Sequence, residues 1–177
     1  MNRSIRKVAG VLSVGTAVVG IVLSGTSSTW AQQNTADLKK QVVGGWTLVS
    51  AVAEQGGTKQ EPWTSNPRGF ISFDQEGNFS IINVRPDLRK IASNNRQSTT
   101  PDESKAIAQG VLAYYGRYTV NENDGSINFT IRGSTFPNWL GSEQKRFITV
   151  TADDMRLFNS TPQLGGGTAT LMYKRAK

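Results

Sequence analysis

A chain of 177 residues without one cysteine or histidine has no disulfides, no Ser-His-Asp or Cys-His nucleophile, and none of the usual zinc, copper or haem ligands. Its formal charge of +7 is spread over scattered lysines and arginines, with "RPDLRK" and the terminal "KRAK" the only clusters, which suits solubility and leaves no nucleic-acid footprint. Hydrophobic residues make up 37% of the chain, enough for one domain stabilised by a packed core.

The first predicted element is an export signal. Arg3, Arg6 and Lys7 give a basic start, Val8 to Leu23 is apolar apart from Ser13, Thr16 and three glycines, and small residues lead to Thr29-Trp30-Ala31. This order reads as a secretory signal peptide over residues 1–31, cut after Ala31, giving a periplasmic or secreted protein that begins at Gln32. The apolar run is shorter than the roughly 18–20 residues a spanning helix needs, so no membrane span is expected after cleavage. Losing Arg3, Arg6 and Lys7 takes the formal charge from +7 to +4. Residues 32–42 form a lead-in segment, and the domain itself runs over 43–177.

From Val43 onward, short alternating runs are divided by turn signals at strand-like spacing. "GWTLVSAVA" is the first strand, and "EQGGTKQEPWTSNP" a loop after it. "RGFISFDQEGNFSIINV" reads as a hairpin around Asp74 to Asn78, with Gly77 supplying the positive φ. "YYGRYTVNENDGSINFTIRG" turns at Asn123-Asp124-Gly125, and "KRFITVTADDMRLFNS" at Ala152-Asp153-Asp154. "TATLMYKR" is the last strand, after the Gly165-Gly166-Gly167 turn. One segment departs from this pattern. Thr100, Pro101 and Glu103 form a capping box with proline at the first helical position, and Ala106, Ile107, Gly110 and Val111 recur at helical spacing. The fold class is therefore all-β: an eight-stranded antiparallel up-and-down barrel with one inserted helix near 101–112. Eight strands enclose room for one small ligand, or for the side chains that fill it.

Most of the thirteen carboxylates have structural positions. Asp74, Glu76, Glu122, Asp124, Asp153 and Asp154 fall in hairpin turns, and Asp102 and Glu103 at the helix N-terminus. No spacing forces any two of the others together. No catalytic residue, cofactor or metal site is assigned.

Several segments carry a resemblance. "GGWTLVS" from Gly44 resembles the Gly-x-Trp signature that opens the first strand of lipocalins. "NPRGFISFDQEGNFSI", "TPDESKAIAQGVLAYYGRYTV" and "GSTFPNWLGSEQKRF", in that order, resemble the bacterial lipocalin-like domain family over about Val43 to Arg175. The resemblance implies a calycin-type barrel that binds a small hydrophobic molecule. Carried onto this chain, it gives Gly44, Trp46 and Arg175 a structural role, with Trp46 plugging one barrel end under Arg175 or Lys174. Lipocalins proper usually staple the barrel with a disulfide, and this chain cannot.

The candidate site lies around "RGSTFPNWLGSEQKR", Arg132 to Arg146. Pro137 stops ladder pairing there, and Trp139 is large enough to swing across a barrel end. Phe136 and Trp139 are either core plugs or one wall of a pocket. In the second case Arg68, Tyr115, Arg132 and Arg146 are its candidate polar contacts, and arginines beside an apolar cavity suit a carboxylate-bearing ligand such as a fatty acid. Alternatively, Arg68 and Arg146 satisfy loop carbonyls. Periodicity does not say which strand face points inward. The expected function is binding of a small apolar or amphipathic molecule without catalysis. The alternatives are an isomerase or cyclase on the same scaffold, and a filled barrel serving as a structural or interaction module.

Overall fold

Alternating runs joined by tight turns pair with their chain neighbours, because antiparallel strands need only a few residues to reverse direction. The computed structural model describes residues 37–162 and 166–177. The proposed signal peptide and the Gly165 position of the glycine turn lie outside the described residues. Among the described residues nine strands form: β1 Gly44–Gln55, β2 Thr58–Gln60, β3 Arg68–Phe73, β4 Asn78–Val84, β5 Val111–Asn121, β6 Ser126–Ser134, β7 Glu143–Val150, β8 Asp154–Asn159 and β9 Thr168–Arg175. β1 pairs with β3 on one side and β9 on the other, so eight antiparallel strands close into the expected barrel.

Two elements depart from the sequence reading. β2 lies inside the segment read as a loop: Gly56 and Gly57 both take positive φ and fold Thr58–Gln60 back onto the end of β1. A one-turn helix, α1 (Leu38–Val42), occupies the lead-in; it is too short for periodicity to reveal, yet Leu38 and Val42 are wholly buried. The capping box forms as read, with Thr100 Oγ1 accepting from Glu103 N and Glu103 accepting from Thr100 N, and it starts α2 (Pro101–Gly110).

The barrel ends are unlike. The hairpin turns after β3, β5 and β7 are short and sit together at one end. There Trp46, wholly buried, donates its indole N–H to the Val42 carbonyl at 2.8 Å. Arg175 lies 4.0 Å from the Trp46 ring and donates to the carbonyls of Ala152, Val43 and Gln41. Lys174 points away from Trp46 and pairs with Asp154. This end is shut by aromatic packing and a buried-side cation contact.

At the other end the connections are long: 56–67, 85–110, 135–142 and 160–167. α2 belongs to this set. It runs straight into β5, and only Gly110 of the helix is buried, under Leu88. It therefore neither packs broadly on the barrel nor roofs it. Among the described residues no helix is long and apolar enough to cross a membrane.

Inside the barrel, rings touch in series from the closed end upward. Tyr118 meets Phe73 at 4.9 Å, Phe73 meets Phe129, Phe129 meets Phe79 at 4.6 Å, and Phe79 meets Tyr114 at 5.9 Å. Gly116 lets β5 and β6 close in beside a bulge, since a β-carbon there would run into the Thr130 carbonyl oxygen. These rings fill the lower interior. Whatever space the barrel keeps is near its mouth.

Candidate ligand-binding site

The inward rows change character along the barrel axis. On β4 the row runs Phe79, Ile81, Asn83; on β8, Met155, Leu157, Asn159; on β7, read from the closed end, Val150, Ile148, Arg146. Three strands thus end their apolar rows with a buried polar residue, and all three of these residues line one cavity near the mouth. Tyr114 and Leu112 on β5, with Ala169 and Leu171 on β9, complete the wall. Trp63 and Pro62 from the 56–67 loop, Trp139 from the Pro137–Trp139 turn, and Pro162 form the rim. Together they surround a cavity of about 60 Å³.

Trp139 is half-buried, edge-on to Tyr114 at 5.0 Å and to Phe136 at 5.7 Å. Its turn is tied down from both sides. Ser142 Oγ donates to the Trp139 carbonyl at 2.7 Å, and Gly141 N donates to the Ile131 carbonyl at 3.0 Å. The Trp63 rim is held differently: Thr64, the next residue, takes φ of 64°, a backbone state that β-branched residues strongly disfavour.

Arg146 is the charge in this cavity, and it is only 5% exposed. Its guanidinium donates to the Lys145 carbonyl at 2.9 Å and to Gln144 Oε1 at 2.5 Å. No carboxylate pairs with it among the described residues. Burial pulls its pKa below the ordinary value, and the neighbouring Tyr114 pushes back. Burial also drives the Tyr114 phenol up to about 12, offset in part by Arg146, and puts Tyr173 on β9 well above its usual range. Both phenols therefore stay neutral donors. Among the described residues the Tyr173 hydroxyl and Asn83 Oδ1 have no hydrogen-bond partner. Gly69 on β3 leaves the room Asn83 needs, because a β-carbon there would strike Asn83 Oδ1.

Of the six residues expected to bind ligand, the structure brings Trp139 and Arg146 to the cavity and sets Phe136 behind Trp139. Arg68, Tyr115 and Arg132 are not there: all three lie exposed on the outer barrel face. The reason is strand alternation. Tyr114 points inward, so Tyr115 points out, 58% exposed and lying over Gly133; Ile131 inward puts Arg132 outward; Gly69 and Ile71 inward do the same to Arg68. The residues missed are Trp63, Asn83, Tyr114 and Asn159, with Tyr173 next to Tyr114 beneath them. A usable signal was present for two of them, a polar residue ending an otherwise apolar row. Trp63 had none, since it sits in a loop.

A larger surface groove of about 390 Å³ lies between α2 and the 85–91 segment. Arg85 pairs with Asp87 there, and Glu103 accepts from Ala92 N and Thr100 N, while Arg89 and Asp102 stand exposed to solvent. Size favours the groove, but unsatisfied buried chemistry favours the barrel mouth, and chemistry decides.

The family profile described as a lipocalin-like domain matches residues 43–176, well over half of the chain. A 4'-hydroxy-3'-methoxypropiophenone carrier protein from Aspergillus oryzae is 28% identical over 90 residues, which covers 48% of this chain and 81% of that protein.

Proposed function

The chain belongs to the lipocalin-like domain family, and on that premise we propose that it is an exported carrier. It takes a small apolar or amphipathic molecule into the mouth of its barrel and performs no chemistry on it. The observation that carries this reading is the buried polar set under an aromatic rim: Arg146 without a carboxylate and Asn83 with an unpartnered Oδ1 both line the cavity, above the unpartnered Tyr173 hydroxyl that neighbours Tyr114. Burying such groups costs several kcal/mol for an ion, and about 1–3 kcal/mol for each neutral group, unless something bonds them. A barrel serving only as a filled structural module has no use for that cost.

The A. oryzae carrier supports a compact aromatic ligand, since the compound in its name is a phenyl ketone with one hydroxyl and one methoxyl group. A cavity of about 60 Å³ is below the roughly 300–1,000 Å³ typical of ligand sites. Loading therefore displaces the Trp63 and Trp139 rim, and a long fatty-acyl chain meets the ring series packed beneath. An isomerase or cyclase would draw on Tyr114, a neutral donor beside Arg146 that suits a carbonyl oxygen. Yet no carboxylate lines the cavity among the described residues, so no side chain is placed there to take a proton from a ligand.

Native mass spectrometry of the purified mature protein tests the carrier reading, with titration of substituted propiophenones followed by tryptophan fluorescence. Trp63 and Trp139 should respond while Trp46, at the closed end, should not. No adduct and no spectral response across such a panel would return the barrel to a filled module.

A further inference from the structure

Resting on the carrier reading, the geometry points to a ligand class: we infer that the cavity selects a compact aryl molecule with one acidic oxygen group and holds it as the oxyanion against Arg146. A guanidinium has five N–H donors in a fixed fork. Arg146 commits one to the Lys145 carbonyl and one to Gln144 Oε1, which leaves a face of the fork for the cavity it lines. The groups around it bring no negative charge. Across the ladder on β6 its partner is Ile127; β8 offers Leu157 and Asn159, β4 Asn83, β5 the phenol of Tyr114, and β9 Ala169 and Leu171, with the Tyr173 phenol next to Tyr114 beneath them. Each is apolar or neutral. A buried cation in that company is stabilised by any anion that reaches it, more strongly than it would be in water.

The remaining polar atoms narrow the class further. Asn83 Oδ1 is an unpartnered acceptor and the neutral Tyr114 hydroxyl, also lining the cavity, offers a donor. An aryl ring that displaces the Trp63 and Trp139 rim would pack against those side chains, with its acidic oxygen reaching Arg146. A phenol and an aryl carboxylic acid both meet this description, and they share the required chemistry.

Two matched pairs separate charge from shape. The first is 4'-hydroxy-3'-methoxypropiophenone with its O-methyl ether; the second is 4-methoxycinnamic acid with its methyl ester. Each is titrated into the mature protein by calorimetry, with absorption spectra recorded for the phenol. The acidic member of at least one pair should bind about tenfold or more tightly than its methylated partner, the scale of one hydrogen bond to a charged group. That preference should vanish in Arg146→Met, so that the acidic and methylated members of a pair bind alike. Arg146→Lys should retain part of it, and a variant that loses the preference with an unchanged denaturation midpoint is not simply misfolded. A bound phenol should show the phenolate band at a pH where the free compound does not. Its affinity should rise with pH from the bound ligand's pKa to the free ligand's pKa, and then level off. The pair that responds identifies the group. Equal binding within both pairs, or a preference that survives Arg146→Met, overturns the inference and leaves the carrier standing. Failure of all four compounds to bind counts against the carrier reading itself.

Discussion

Replacing Trp139 with alanine separates a wall from a plug. The side chain is half-buried, with one edge on Tyr114 at 5.0 Å and another on Phe136 at 5.7 Å. Truncating a fully buried aromatic costs about 3–5 kcal/mol, so a half-buried one should cost about 2 kcal/mol. A domain with about 5–15 kcal/mol of total stability survives that loss. On the ligand side the variant removes one ring contact and uncovers apolar area, together about 2 kcal/mol or roughly thirtyfold in Kd. Both quantities are measurable on one preparation, by urea denaturation followed by circular dichroism and by calorimetric titration of 4'-hydroxy-3'-methoxypropiophenone. The expected result is a moderate fall in midpoint together with a clear loss of affinity. A fall of 3–5 kcal/mol with unchanged Kd would make Trp139 a core plug and refute its place in the site.

Three further outcomes follow from other parts of the molecule. Arg175→Ala should cost about 3–4 kcal/mol, because three carbonyls lose a charged donor and Trp46 loses its covering cation; a denaturant-midpoint change worth under about 1 kcal/mol would show that the closed end is held by something else. The Asp124 carboxyl is lowered to about 2 by the hydrogen bond from Lys145, aided by Ser126. Its contribution is complete above the ordinary carboxylate pKa of about 4 and disappears as pH falls to about 2, so Asp124→Asn should flatten the stability profile in that window and lower stability by a constant amount above it; an identical acid limb would contradict this. Intact-mass measurement of an exported fraction should give a chain starting at Gln32, and a mass that retains residues 1–31 would reject the signal-peptide assignment.

The frame was more legible than the site, for a physical reason. Hairpin turns and the Thr100 capping box are local chemistry, decided within a few residues, and sequence shows such decisions directly. Which face of a strand points inward depends on closure between β1 and β9, residues far apart in the chain. The row rule still distinguishes the arginines. Arg132 keeps company with Asn128 and Thr130, a polar row that turns outward, whereas Arg146 sits in a row with Ile148 and Val150. Weighing arginines by their row would have kept Arg146 and set Arg132 aside. Tyr114 and Tyr115 are adjacent and chemically alike, so only the closed barrel distinguishes them. α1 was hidden by its length of five residues, and Trp63 by the absence of any period in its loop.

The pairing of β1 with β9 also sets a timetable. Arg175 reaches back to the Val43 carbonyl, 132 residues earlier in the chain, and every rung of that ladder spans a comparable separation. Strands β3 to β8 can add in turn as they emerge from synthesis, because β3 pairs with β1 and each of β4 to β8 pairs with its immediate predecessor. The seam cannot. Until Thr168–Arg175 is available the molecule is an open, curling sheet with two bare edges, and the loop-closing entropy of the seam is overcome in one late step. Acquisition of the native state therefore waits for Thr168–Arg175 to emerge. Ribosome-stalled chains that expose everything up to Asn159 should still behave as open sheets, vulnerable to proteases and to edge-to-edge association.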